Sequence, residues 1–243
     1  MNAVLSLHFE VRNEQPDWPV VAILVDGQNP FAAVAPDRQG FDPAAILGPP
    51  TPAPTPDLGP LAPDPTCDLG PLVPDDAGRR VAVYRCSCGE PGCGVIAPYI
   101  VPSPDRRRIS WVDFRDYTGV FDDPLTDLTA DGRPWDLPDL HFDRTQYLTE
   151  VHRATTDRSW ETPRRATARL LTDRLTTVPH LRWISPAWNA DGVQLSIEPP
   201  GHHQLLLHLT STAPTPSQAA DDMAQQLLSC PPAERSRRFG WRR

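Results

Sequence analysis

Val81-Ala-Val-Tyr-Arg-Cys-Ser-Cys-Gly-Glu-Pro-Gly-Cys-Gly-Val-Ile-Ala-Pro-Tyr-Ile-Val101 is the stretch that decides the fold class of this chain. Two apolar runs, Val81 to Arg85 and Gly94 to Val101, flank a Gly-Glu-Pro-Gly turn. A connection this short joins antiparallel strands, because a parallel partner needs a longer crossover. Pro102-Ser-Pro-Asp-Arg106 turns the chain again, and Ile109 to Phe114 runs back. The expectation is a three-stranded antiparallel meander with its thiols at one tip.

Those thiols are Cys86, Cys88 and Cys93, three of the five cysteines within eight residues. Cys86 and Cys88 are two apart, so on a strand both project from one face. The turn then brings Cys93 back toward them. Thiolates so grouped suit a soft metal, and zinc is the expected ion. A structural zinc takes about four ligands. The candidates for the fourth are Cys67, His8, His141 or a partner residue. The competing reading is a tight turn of small residues with free thiols. The C-x-C spacing is tighter than the usual C-x-x-C knuckle, and no C-x-x-C pair accompanies it.

Outward from the meander, Ala3, Leu5, Leu7, Phe9 and Val11 alternate with polar neighbours, the pattern of a half-buried strand. Val20 to Val25 is a second strand ending at Asp26-Gly27, and Phe31 to Ala35 reads as a short third. Residues 49–76 form a proline-rich insert, with ten prolines between Pro49 and Pro74. Proline removes ladder donors, so this insert is expected as a solvated loop without helix or strand. Residues 113–143 hold nine aspartates against two arginines, without the alternating ligand spacing of a calcium loop.

Two helices follow. Asp143 caps the first, with Gln146 completing a capping box and Phe142 and Tyr147 as a hydrophobic staple. Thr162-Pro163 opens the second, whose expected inner stripe is Ala166, Leu170, Leu171 and Leu175. Strands return at Leu181 to Trp188, Val193 to Glu198 and Gln204 to Leu209, and a last helix starts at Thr215-Pro216. The expected class is therefore α+β: antiparallel β-meanders with a central helix pair and a C-terminal helix. The natural division is a β-rich part, 1–140, carrying the insert 49–76 and the cysteine turn 86–93, and an αα-βββ-α part, 141–243. One continuous domain is the alternative.

Composition excludes a broad group of enzymes. All 23 basic residues are arginine. Lysine chemistry is therefore absent: no Schiff base, no P-loop lysine, no Ser-Lys dyad. No G-x-S-x-G or H-E-x-x-H occurs, nor a glycine-rich turn between strand and helix. The formal charge of −8 argues against a general nucleic-acid binder. The start of the chain carries no basic, apolar leader, and no apolar run is long enough for a bilayer, so a cytoplasmic location without membrane contact is expected. Cysteines there stay reduced, which favours metal over disulfide.

Arg85-Cys-Ser-Cys-Gly-Glu-Pro-Gly-Cys-Gly94, Trp111-Val-Asp-Phe-Arg-Asp-Tyr117 and Asp157-Arg-Ser-Trp-Glu161 together resemble an uncharacterised family of actinobacterial hypothetical proteins, whose C-x-C-G-x-x-G-C turn is its most recognisable part. The resemblance implies a bacterial cytoplasmic origin and carries no activity.

The functional expectation is a non-enzymatic binding or accessory protein with a zinc knuckle. Its acidic surface suits a protein partner, in the manner of an immunity protein. The rival readings are a metal-assisted hydrolase and a nucleic-acid adaptor using the tail Arg235-Ser-Arg-Arg-Phe-Gly-Trp-Arg-Arg243.

Overall fold

The computed structural model describes residues 2–12, 14–48, 70–88, 93–121, 123–126, 128–188, 190–198 and 204–229. Two compact units divide the chain, Met1–Trp160 and Glu161–Arg243. The fold is α+β, and every pairing between named strands is antiparallel. Residues 141–160, assigned from sequence to the C-terminal part, lie within the first unit. Phe142, Tyr147, Val151 and Ala154 join the first unit's core, and that burial sets the boundary.

The first unit begins with a hairpin of β1 (Leu5–Arg12) and β2 (Gln15–Val25). Leu5, Leu7, Val21 and Ile23 fill its inner face. Asp26, at φ 51°, closes the far end: its amide donates to the Val4 carbonyl and its carboxylate accepts the Val4 amide, both at 2.9 Å. Phe31 to Ala35, expected as a strand, is a run of turns that buries Phe31. Phe31 wedges against Tyr84 and Phe114. The aromatic anchor sets this path rather than a ladder.

A seven-stranded sheet carries the predicted meander. Its main path runs β3 (Arg38–Gly40), β5 (Tyr84–Cys86), β6 (Val95–Pro102), β7 (Arg108–Tyr117) and β8 (Arg133–Pro134). β4 (Arg79–Arg80) adds to β6, and β9 (Leu140–Asp143) adds to β7. The expected pairing of Val81–Arg85 with Gly94–Val101 is present: Tyr84 faces Ile96, Arg85 faces Val95, and the Val81 and Val83 amides donate to Pro98 and Ile96. Between them, the Ala82 amide points to the other side of the strand and donates to the Pro124 carbonyl.

The proline-rich insert needs correction at its end. Residues 49–69 lie outside the described residues, but Leu72 and Val73 are core residues at 0% and 2% exposure. The Tyr147 hydroxyl donates to the Leu72 carbonyl at 2.7 Å. Gly70, at φ 75°, rests on the carbonyl of Leu47, closing the segment against the short helix α1 (Pro43–Leu47). Proline content argues against regular structure, not against burial, and two apolar side chains suffice to anchor the segment.

Helix α2 (Arg144–Thr156) starts where the capping residues place it, with Asp143 accepting the Gln146 amide at 3.0 Å. The staple forms, with Phe142 and Tyr147 centroids 5.4 Å apart, and Trp111 completes the cluster edge-on. The Gln146 side chain, however, leaves the cap and bonds to Leu5 of β1.

The second unit holds α3 (Pro163–Arg174), the meander β10 (Leu181–Pro186), β11 (Val193–Ile197) and β12 (Leu205–Leu209), and α4 (Pro216–Ser229). Thr162 caps α3 through the Arg165 amide, as expected. The buried side chains of α3 are Thr167, Ala168 and Leu171, followed by Leu175 just past the helix; Leu170 is only half-buried, as is Ala166. Ala168, Leu171 and Leu175 pack with Val193, Leu195 and Ile197 of the sheet and Ala220, Met223, Ala224 and Leu227 of α4. No described helix is long and apolar enough to cross a membrane.

Candidate metal centre

The sheet geometry assembles the thiol cluster. Arg38 lies opposite Cys86 in the β3–β5 ladder, and the Cys86 amide donates to the Gly94 carbonyl at 2.8 Å. Arg38, Cys86 and Gly94 therefore form one cross-strand row, and directly opposed residues of an antiparallel pair share a face. Beyond Cys86, the Ser87 amide donates to the Asp37 carbonyl at 3.1 Å, which carries the register of the β3–β5 pairing one residue further. Cys88 follows, and Cys93 returns on the far side of the turn; residues 89–92 lie outside the described residues.

The three Sγ atoms lie within 4.8 Å of one another. Cys86 is half-buried, while Cys88 and Cys93 are exposed. Tetrahedral thiolates at about 2.3 Å from an ion stand roughly 3.8 Å apart, so the cluster matches a shared soft cation. Hydrogen bonds to the Cys88 and Cys86 thiols, with the repulsion of their charged forms behind them, push the Cys93 thiol up to about 11. A bound cation would oppose that shift at Cys93 by stabilising its thiolate.

Of the candidates for a fourth ligand, His8 and His141 do not join the cluster. His8 lies on β1, where its charge acts on Glu150, and His141 on β9 hydrogen-bonds Ser110 Oγ through Nδ1 at 2.9 Å. Cys67 lies outside the described residues, as do Cys230 and the His202-His203 pair. Among the described residues, no other His, Cys, Asp or Glu group has metal-binding spacing, so the aspartates of 113–143 form no such site there. Several of them instead hold arginines: Asp113 pairs with Arg80 and Arg115, and Asp116 with Arg38 and Arg133. The hydrogen bond from Arg80 is the chief reason the Asp113 carboxyl is held below its ordinary value.

Sequence reading missed Arg38, which stands far ahead of Cys86 in the chain, on the other side of the proline-rich insert. Its guanidinium lies across Gly94, where a Cβ would come within 2.5 Å of Nη1. Nη2 reaches Asp116 Oδ1 at 3.3 Å, whereas Nη1 is buried without a hydrogen-bond partner. The glycine after Cys93 is the only trace of this arrangement in the sequence.

No family model matches the chain, and neither the curated proteins nor the solved structures contain a match to it.

Proposed function

We propose that this chain is a non-catalytic cytoplasmic binding protein in which Cys86, Cys88 and Cys93 hold a structural zinc ion that pins the turn between β5 and β6. The single observation behind the reading is the convergence of three sulfurs within 4.8 Å on a partly exposed turn. Thiolate donors select soft or borderline ions, and zinc accepts three of them with a fourth position filled by water or by a partner's side chain. The exposed turn and the −8 charge suit a protein partner with a basic face, in the manner of an immunity protein.

The rival readings have less support. A hydrolase places its metal in a cleft, yet three well-formed cavities among the described residues have no cysteine in their lining. One, of 520 Å³, lies beside Arg79 and Arg144. A second, of 460 Å³, lies beside Tyr99 and Tyr117. A third, of 430 Å³, lies beside His8 and Glu150. The nucleic-acid reading rests on Arg235 to Arg243, outside the described residues.

Elemental analysis of protein purified without a metal-binding tag tests the proposal. About one zinc per chain is expected, lost on acidification as the thiolates protonate. Cys88→Ser should lower both metal content and melting temperature. Metal-free protein with an unchanged melting temperature in Cys88→Ser would leave only a glycine-rich turn.

A further inference from the structure

We infer that Arg38 is the charge-compensating and positioning residue of the cysteine centre, and that it matches the centre to a divalent thiophilic cation. The inference rests on the metal reading above and adds to it a residue and an ion class.

The first observation is the orphaned donor. Arg38 Nη1 is buried and has no hydrogen-bond partner, although buried polar atoms are almost always satisfied. Where such a donor is left over, a ligand or ion at that place is the first thing to look for. Arg38 shares its row and its face with Cys86, and its guanidinium is held across Gly94, the residue after Cys93. The free N–H therefore sits among the segments that carry two of the three thiols. A thiolate sulfur is a good acceptor for it, and a neutral thiol a poor one.

The second observation is the charge balance. Asp116 accepts from both Arg38 and Arg133, at 3.3 and 3.2 Å, so this trio carries a net +1. Three thiolates around a divalent ion carry −1. The two sets cancel, and a partly exposed centre is still favoured when its charge is compensated nearby. A monovalent ion would leave a residual negative charge. Asp116 also fixes the guanidinium: Arg38 and Asp116 side chains are only 18% and 15% exposed, which limits competition from water. Glycine at position 94 is what lets the planar group lie over the strand, since any larger residue would meet it.

Such outer partners typically change metal affinity by about 10- to 100-fold. The test is a Co(II) titration of the full chain, read by the thiolate-to-cobalt charge-transfer absorption, followed by competition with Zn(II). Wild type, Arg38→Gln, Arg38→Lys and Asp116→Asn are compared, with the metal-free melting temperature of each. The expected result is one Co(II) per wild-type chain, displaced by Zn(II). Arg38→Gln should bind about 10- to 100-fold more weakly, while Arg38→Lys, which keeps the charge, should stay much closer to wild type. Asp116→Asn, which frees the guanidinium but keeps it cationic, should fall between. Equal affinity in wild type and Arg38→Gln overturns the role of Arg38 and leaves the metal centre standing. Arg38→Lys binding as weakly as Arg38→Gln, with a wild-type melting temperature, overturns charge compensation. Wild-type protein that takes up no Co(II) overturns both the centre and the role given to Arg38. Should Arg38→Gln fail to fold, the Lys and Asn variants decide the question.

Discussion

Gln146 closes the outer edge of strand β1 at Leu5, accepting the Leu5 amide on Oε1 at 3.1 Å and donating from Nε2 to the Leu5 carbonyl at 2.7 Å. One turn further along α2 the device recurs at Leu7, whose amide donates to Glu150 Oε1 at 2.7 Å and whose carbonyl accepts from Arg153 Nη2 at 2.5 Å. A strand edge exposes unpaired donors and acceptors every second residue, and helix side chains at i and i+4 meet that spacing. Tyr84 does the same for β2: its hydroxyl accepts the Ile23 amide at 3.3 Å.

Truncating Gln146 leaves two backbone groups of a strand without partners. Gln146→Ala should destabilise the protein by ~1–3 kcal/mol in chemical denaturation. Gln146→Glu keeps the acceptor but sets a carboxylate oxygen against the Leu5 carbonyl, so a loss at least as large is expected at neutral pH. Faster native-state exchange of the Leu5 amide should accompany the Ala variant and not Asp26→Ala. An unchanged exchange rate would show that the edge does not depend on this contact.

Glu150 makes this edge sensitive to acid. Burial raises its carboxyl, but the hydrogen bonds from Arg153 and the Leu7 amide outweigh burial and hold it below its ordinary value of 4.5. A carboxyl depressed in the folded state adds stability above its unfolded value and loses it as the pH falls through the folded one. Wild-type stability should therefore decline as the pH drops from about 4.5. Glu150→Gln should be less stable at neutral pH and should show a shallower acid decline. Parallel pH profiles for the two proteins would refute the assignment.

Tyr147 ties α2 to the end of the proline-rich insert. Its buried hydroxyl donates to the Leu72 carbonyl and accepts from Trp111 Nε1 at 3.1 Å, and burial pushes its ionisation well above the ordinary value. Tyr147→Phe leaves both partners unsatisfied, at a cost of ~2–3 kcal/mol. Leu72→Ala should cost ~2–5 kcal/mol through the cavity it leaves. Thermal melts of two deletions check the same anchor: removing 51–68 should be tolerated, and removing 51–74 should not.

Gly94 is the place where one methyl group tests the cysteine centre. Gly94→Ala puts a Cβ into the Arg38 guanidinium, which must leave Asp116 or lift off the strand. A loss of ~1 kcal/mol is expected, smaller than a buried backbone clash would give, because the displaced atoms end a flexible side chain. Co(II) affinity should fall in step with the Arg38 variants. Wild-type stability and affinity in Gly94→Ala would show that the guanidinium is not held where the strand row places it.

Local rules carried much of the architecture. Alternation in Leu5 to Phe9, caps at Asp143 and Thr162, and the Gly-Pro turn at 89–92 each act over a few residues, so strands, helix starts and the cysteine grouping were readable along the chain. What the tertiary structure alone decided are matters between segments far apart. Residues such as Gln146 with Leu5 and Arg38 with Cys86 meet only when sheets and helix close on one another, and no periodicity encodes that meeting. The capping-box glutamine shows the limit well. Its local pattern is intact, yet its side chain serves a strand edge 141 residues away. An unpaired buried edge costs more than an exposed cap. Leu72 and Val73 make the same point in a proline-rich segment, where burial is set by the cavity that receives the side chains and not by the backbone that presents them.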